Sequence, residues 1–121
     1  HAGSDVLFNE LMILGSVLYN KLVRDKIPQI IEKSGKIPVV ETLDDETYKK
    51  LLDEKLKEEL QEYLSSDRVE ELADLVEVVY AILRYKGIDI DIFENIREKK
   101  VAERGAFEKR LLLKEVKDGQ N

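Results

Sequence analysis

Apolar residues recur at intervals of three and four along most of this sequence, which is the spacing of helices that bury one face. The helices predicted from this pattern cover residues 28–35, 45–64, 67–87 and 89–104. No alternation with a period of two is long enough to build a sheet, and Pro38 favours only a short extended stretch at residues 36–40. The chain is therefore predicted to be all-α.

The break between the first two long helices is short and consists of turn-forming residues. Ser65, Ser66 and Asp67 interrupt the apolar pattern. Asp67 is followed three residues later by Glu70, a spacing that resembles a capping box, so Asp67 is predicted to cap the second helix. A break of this length folds consecutive helices back on each other, and we expect an antiparallel hairpin.

The first long helix has an apolar side into which acidic residues project. At about 100° per residue, Glu59 lies in the middle of this side and Glu62 lies near its edge. The apolar residues of this side are Tyr48, Leu52, Leu56, Leu60 and Tyr63. We therefore expect the Glu59 carboxylate to point towards the core.

The second long helix is apolar around most of its circumference, which predicts burial on several sides. Glu71 falls between Val78 and Ile82 on the helical wheel. Asp74 lies one turn along from Glu71, at the boundary of the apolar surface. This helix also places two acids on or beside a surface that should be covered.

The acids of the two long helices form two pairs at i, i+3, which are Glu59 with Glu62 and Glu71 with Asp74. In an antiparallel hairpin, this spacing would direct four carboxylates towards one point. Burying several ionised carboxylates together is costly unless a cation neutralises them, and a bound metal would do so. The alternative is chance, because the chain contains 26 Asp and Glu residues and such pairs arise in any acidic sequence. Spacing alone leaves both interpretations open.

The side-chain inventory excludes several kinds of chemistry. The chain has no Cys, and its one His is residue 1. This excludes a thiol nucleophile, a Ser-His pair and a Cys/His zinc site, because the residues that form them are missing. The many carboxylates instead suit hard cations such as Mg²⁺. The length of 121 residues fits one domain, predicted over residues 17–121, while residues 1–16 resemble in part an expression-tag remnant or leader.

The charge and hydropathy of the chain bear on its partners and location. The formal net charge of −6 argues against nonspecific binding to nucleic acid, which needs a positive field. No apolar run approaches the roughly 20 residues that span a bilayer, so a membrane protein is not expected. The absence of cysteine and of a basic signal region leads us to expect a cytoplasmic protein.

The acidic motifs match a known pattern. Residues 58–62 (EELQE) followed by residues 71–74 (ELAD) resemble the EExxE and ExxD motif pair of the all-α nucleoside triphosphate pyrophosphohydrolases, the superfamily that includes MazG and phosphoribosyl-ATP pyrophosphohydrolase. Further stretches that look like its small MazG-like branch are YNKLVRDKIP at 19–28, EKSG at 32–35 and RGAFEKR at 104–110. The resemblance covers about residues 18 to 113.

The resemblance implies a MazG-like helical bundle with a four-helix type core, whose antiparallel helix hairpin carries a metal site. The ligands of Mg²⁺, for which Mn²⁺ can substitute, would be the last two acids of EExxE and both acids of ExxD. By position these are Glu59, Glu62, Glu71 and Asp74. We also expect a homodimer or higher homo-oligomer, because the second long helix is apolar on more sides than its neighbours can cover.

The implied reaction is hydrolysis of a nucleoside triphosphate between its α and β phosphates, which gives a nucleoside monophosphate and pyrophosphate. Glu59, or its neighbour Glu58, is the candidate general base. No Gly-rich phosphate loop is present, so side chains must meet the phosphate charge. The candidate substrate-binding residues are Asn20, Lys21, Arg24, Lys26, Arg97, Lys100 and Arg104.

Three other functions remain open at this point. The first is phosphoribosyl-ATP pyrophosphohydrolase, although the YNKLVRDK signature points to the other branch. The second is a noncatalytic dimerisation module whose acids form a solvated stripe and bind no specific Mg²⁺. The third is a nucleotide sensor that keeps the metal site without turnover.

Overall fold

The structure is a computed structural model that describes residues 20–119, so the leader predicted at residues 1–16 lies outside the described residues. Within the described part the chain forms four helices and no strand, which confirms the all-α prediction. The helices are α1 (Ile27–Lys33), α2 (Asp45–Ser66), α3 (Val69–Tyr85) and α4 (Ile90–Arg104). No helix in this part is long and apolar enough to cross a membrane.

The described part of the chain divides into two compact units, with the boundary after Gly87. The first unit contains α1, α2 and α3, and the second contains α4 and the segment that follows it. The single domain predicted over residues 17–121 stays a prediction.

The start of α2 follows from a side-chain cap. Asp44 has extended backbone angles, and its carboxylate accepts a hydrogen bond of 2.8 Å from the backbone N–H of Thr47. Asp45 and Glu46 in the first turn lie where the positive end of the helix dipole favours acids. This agrees with the helix start predicted from the sequence.

The turn between α2 and α3 differs from the predicted capping box. Asp67 terminates α2 instead of capping α3: it adopts a left-handed conformation with φ of 57°, and its N–H donates to the carbonyl of Tyr63 at 2.7 Å. Arg68 holds the cap position of α3, without a side-chain cap hydrogen bond. The physical reason is the two-residue connection, which needs one left-handed residue to reverse the chain, and Asp tolerates that conformation.

The α2–α3 pair is an antiparallel hairpin, as expected. The rings of Tyr48, near the start of α2, and Tyr85, at the end of α3, meet edge-on with centroids 6.0 Å apart. Between the two ends, Leu52 of α2 and Val78 and Leu83 of α3 are buried. The hairpin therefore has a narrow apolar core with its turn at one end and an aromatic contact at the other.

The faces of the hairpin helices correct two expectations. Leu60, assigned to the buried side of α2, is 43% exposed. The side chains of Val69, Leu72 and Val76 lie on one face of α3, at i, i+3 and i+7, and are exposed as well; we call them the α3 strip. Among the described residues, the first half of α3 is thus covered mainly on the face opposite the strip, whereas Leu83 in its second half is buried on the same side as the strip.

The second unit is built around α4. The helix ends at Arg104, and its C-cap residue Gly105 has a φ of 85°, which favours a residue without a side chain. Residues 105–119 after it contain no helix or strand and expose large apolar side chains. These exposed residues are Phe107, Leu111, Leu112, Leu113 and Val116.

Candidate metal centre

The hairpin brings together the four carboxylates that the i, i+3 spacing singled out. One carboxylate oxygen from each of these residues lies within 4.8 Å of one from every other residue of the set. The set, called the carboxylate cluster below, consists of Glu59, Glu62, Glu71 and Asp74. It lies near the turn because α2 contributes its last two turns and α3 its first two.

The cluster is buried, and several of its oxygens have no hydrogen-bond partner. Glu71 is 0% exposed, and Asp74 and Glu59 are 4% and 7% exposed. With all four carboxyl groups ionised, both carboxylate oxygens of Glu71 and one each of Glu59 and Glu62 are buried without a hydrogen-bond partner among the described residues. A buried, unpartnered carboxylate oxygen is costly, because it has lost its water and gained nothing in exchange.

Burial also changes the acidity of two members. Burial raises the pKa of Glu59; the Lys55 ammonium group lowers it in part, and the Asp74 charge raises it further. Burial raises the pKa of Glu62 to about 7, with further contributions from the charge of Glu59 and from a hydrogen bond that protonated Glu62 donates to Glu71. At neutral pH both carboxyl groups therefore hold protons more readily than exposed glutamates do.

Two cations that precede α1 reach the hairpin. The Nη2 atom of Arg24 donates to Oδ1 of Asp74 at 2.7 Å, although 50 residues separate the two in sequence. The Nζ atom of Lys21 lies 3.5 Å from Oε1 of Glu58. The segment before α1 thus delivers one cation to each helix of the hairpin.

Lys55 is a residue of the site that the sequence reasoning missed. Its Nζ atom lies 3.7 Å from Oε1 of Glu59 and 3.6 Å from Oε1 of Glu58. The signal was present, because Lys55 stands three and four residues before these acids, where side chains of one helix meet. Lys55 offsets part of the negative charge at the α2 side of the cluster.

The other predicted site residues have varied surroundings. Glu58 lies outside the carboxylate cluster and makes ion pairs with Lys21 and Lys55. Asn20 and Lys26 are exposed in the segment before α1. Their proposed contacts with substrate stay predictions.

The three basic residues predicted on α4 belong to the second unit. Arg97 pairs with Glu94 of its own helix at 2.7 Å, and Lys100 and Arg104 are exposed. Substrate binding by these residues stays a prediction.

The cluster fits a hard divalent cation. All its donors are carboxylate oxygens, the ligand type that Mg²⁺ and Mn²⁺ prefer. One carboxylate oxygen from each of the four residues lies within 4.8 Å of the others. Two ligand oxygens of one Mg²⁺ ion are at most about 4.2 Å apart, twice the coordination distance, so small side-chain movements would bring all four residues into contact with one ion. The unpartnered oxygens of Glu71 would gain a partner from such an ion.

Comparisons with known proteins show a partial similarity to an uncharacterized relative. No protein-family model matches the chain, and no solved structure matches it significantly. The chain is 49% identical over 47 residues to an uncharacterized protein of Mycolicibacterium smegmatis. The matched region covers 39% of this chain and 48% of that relative, so it spans about half of the relative's length.

Proposed function

We propose that the protein is a Mg²⁺-dependent nucleoside triphosphate pyrophosphohydrolase. The observation that carries the metal is Glu71, which is fully buried among three other carboxylates and has no hydrogen-bond partner for either carboxylate oxygen when these groups are ionised. A carboxylate in this position is favourable when a cation binds it. The choice of a nucleoside triphosphate as substrate rests on the resemblance of the EELQE and ELAD motifs to those of the MazG-like enzymes.

In this proposal the carboxylate cluster holds the ion through Glu59, Glu62, Glu71 and Asp74. Bound Mg²⁺ supplies charge neutralisation at the phosphate oxygens and makes water more acidic. A water oxygen bonds to phosphorus, the anhydride bond between the α and β phosphates breaks, and pyrophosphate leaves. The proton of the water passes to a carboxylate, and the nucleoside monophosphate remains.

Two residues are candidates for the base. Burial raises the pKa of Glu59, which makes it a better proton acceptor at neutral pH, but Glu59 also belongs to the carboxylate cluster. Glu58 lies outside the cluster, beside Lys21 and Lys55. Substituting the base should lower kcat and leave Mg²⁺ affinity nearly unchanged, whereas substituting a ligand should weaken both. Comparing Glu58→Gln with Glu59→Gln in both measurements assigns the role.

The proposed setting is the cytoplasm, where nucleotide pools and Mg²⁺ are both available, with a role in removing unwanted nucleotides. We also propose that two copies pair through the α3 strip. Phosphoribosyl-ATP is an alternative substrate of the same chemistry.

The test is a panel of nucleoside triphosphates and phosphoribosyl-ATP with Mg²⁺, with pyrophosphate and orthophosphate measured separately. Pyrophosphate release supports the proposal, and orthophosphate alone points to a different phosphohydrolase reaction. Nucleotide binding without either product would favour a nucleotide sensor. The absence of both nucleotide binding and turnover would favour a noncatalytic module.

Two neighbouring acids supply a matched pair of variants for this assay. Glu71→Gln should abolish Mg²⁺ binding and pyrophosphate release. Glu70→Gln removes an exposed acid that pairs with Arg68, and it should retain both activities. Equal behaviour of the two variants would contradict the assignment of Glu71.

A further inference from the structure

The ion pair between Arg24 and Asp74 joins a half-exposed side chain to a buried one. The Asp74 side chain is 5% exposed, whereas that of Arg24 is 52% exposed. The guanidinium group therefore reaches in from the surface to a carboxylate that also belongs to the carboxylate cluster. In the protein without a divalent ion, Arg24 neutralises part of the charge that the ion would neutralise.

Arg24 differs from Lys55, which is the other cation that contacts the carboxylate cluster among the described residues. Lys55 lies on α2 itself, three and four residues before the acids it contacts, and its side chain is 22% exposed. Arg24 lies before α1, outside any helix, with half of its side chain in solvent. Its head group can leave Asp74 by rotation about side-chain bonds, without unfolding a helix.

We propose that Arg24 is an exchangeable counter-ion of Asp74. A divalent cation competes with the guanidinium group for this carboxylate, and the released Arg24 then binds a phosphate oxygen of the substrate. Metal binding thus frees the anion-binding group that the next ligand needs. The second half of this inference rests on the proposed function, because it requires a polyphosphate substrate at the site.

The exchange has an unusual consequence for affinity. A side chain that only binds substrate has no effect on metal affinity, and one that only positions Asp74 lowers metal affinity when removed. A competitor does the opposite: its removal tightens metal binding, because the ion no longer has to break the pair. The direction of the change therefore separates a competitor from these two roles. Loss of a nearby positive charge would also tighten metal binding, so Arg24→Lys, which keeps the charge, must bind the ion more tightly than the parent for competition to hold.

The test measures Mn²⁺ binding by electron paramagnetic resonance in the absence of nucleotide. Arg24→Gln is compared with Lys57→Gln, which removes the same charge from an exposed position of α2 that makes no ion pair among the described residues. We expect Arg24→Gln to bind Mn²⁺ about threefold to tenfold more tightly than Lys57→Gln, since a charge-assisted hydrogen bond no longer competes. Arg24→Lys, which keeps the charge without the planar fork, should fall between Arg24→Gln and the parent.

The second measurement is binding of inorganic triphosphate at saturating Mg²⁺. Arg24→Gln should weaken this binding about tenfold relative to Lys57→Gln, because one phosphate contact is lost. Mn²⁺ affinity in Arg24→Gln equal to or below that of Lys57→Gln would overturn the exchange. If Arg24→Gln binds Mn²⁺ more tightly but binds triphosphate as well as Lys57→Gln does, the proposed binding of the released Arg24 to a phosphate oxygen would be wrong.

Pyrophosphate release by the parent protein separates this inference from the proposed function. Tighter Mn²⁺ binding in Arg24→Gln with no hydrolysis of any triphosphate by the parent supports the exchange and removes the proposed function. Hydrolysis by the parent, with Arg24→Gln and Lys57→Gln binding Mn²⁺ alike, supports the function and removes the exchange.

Discussion

Glu59 and Leu60 are adjacent residues whose burial is the reverse of what hydrophobicity favours. Glu59 is 7% exposed and Leu60 is 43% exposed. Rotating α2 to bury Leu60 instead would gain part of the roughly 1.5–3 kcal/mol that a fully buried leucine contributes. The fold forgoes this gain and also desolvates a carboxylate, which is the pattern expected where a functional site sets the orientation of a helix.

Glu59→Gln should stabilise the metal-free protein at neutral pH, because it removes a carboxylate whose pKa burial raises, and nearly keeps its shape. Thermal melting in a chelator should give a higher Tm than the parent. Mg²⁺ at a hundred times its Kd should stabilise the parent by roughly 2.7 kcal/mol and the variant by less. A variant that melts like the parent and gains equally from Mg²⁺ would identify Glu59 as an ordinary acid.

Glu62 predicts a pH dependence of stability in the metal-free protein. Its pKa is about 7 in the folded state, against about 4.3 when unfolded. The unfolded chain therefore loses this proton first, so the free energy of unfolding should fall as pH rises from about 4 to about 7. Urea titrations at several pH values in this range measure the free energy of unfolding, and this free energy should fall less steeply with pH in Glu62→Gln than in the parent protein.

The control for both substitutions is Glu54→Gln. It removes an exposed acid of α2 that makes no ion pair among the described residues. Its Tm in chelator and its pH slope should both match those of the parent. A pH slope unchanged in Glu62→Gln would mean that other groups cause the dependence.

At the scale of the element, the start of α2 depends on one carboxylate. The hydrogen bond from Thr47 holds the pKa of Asp44 below its usual range. Asp44→Ala should therefore lower Tm at neutral pH, while Asp44→Asn, which keeps an acceptor, should lower it less. A lowered pKa stabilises the folded state fully above the unfolded pKa of about 4, and this stabilisation is lost as pH falls from there through the lower folded pKa, so the difference between parent and Asp44→Ala should shrink below about pH 4. A difference that is constant with pH would exclude the ionised cap.

The helices themselves were predictable, and the contacts between distant segments were not. Periodicity located the four helices of residues 20–119 to within a few residues, and the i, i+3 spacing of Glu71 and Asp74 placed both acids on one face. Tertiary packing determines which face of α2 turns towards α3. The sequence pattern does not contain this information, so the assignment of Leu60 to the buried side was wrong. The Arg24–Asp74 pair spans 50 residues, and no periodic pattern encodes it.

At the scale of the whole molecule, the α3 strip predicts self-association. Val69, Leu72 and Val76 expose apolar surface on one helix face, and such surfaces commonly mark interfaces. Light scattering at micromolar concentration should give twice the chain mass of 14.0 kDa, or more. Leu72→Lys combined with Val76→Lys should shift the mass to that of one chain. Val40→Lys, at an exposed apolar position outside the strip, is the control and should leave the mass unchanged; a parent protein of 14.0 kDa would contradict the prediction.

The two-residue turn after α2 places the whole carboxylate cluster between residues 59 and 74. Closing so short a loop has a small entropic cost, which favours early formation of the hairpin during folding. The repelling carboxylates then oppose the same step that the apolar contacts drive, a local conflict in the folding pathway. A cation that relieves the repulsion would lower the folding barrier as well as stabilise the product, so Mg²⁺ should accelerate refolding in stopped-flow experiments.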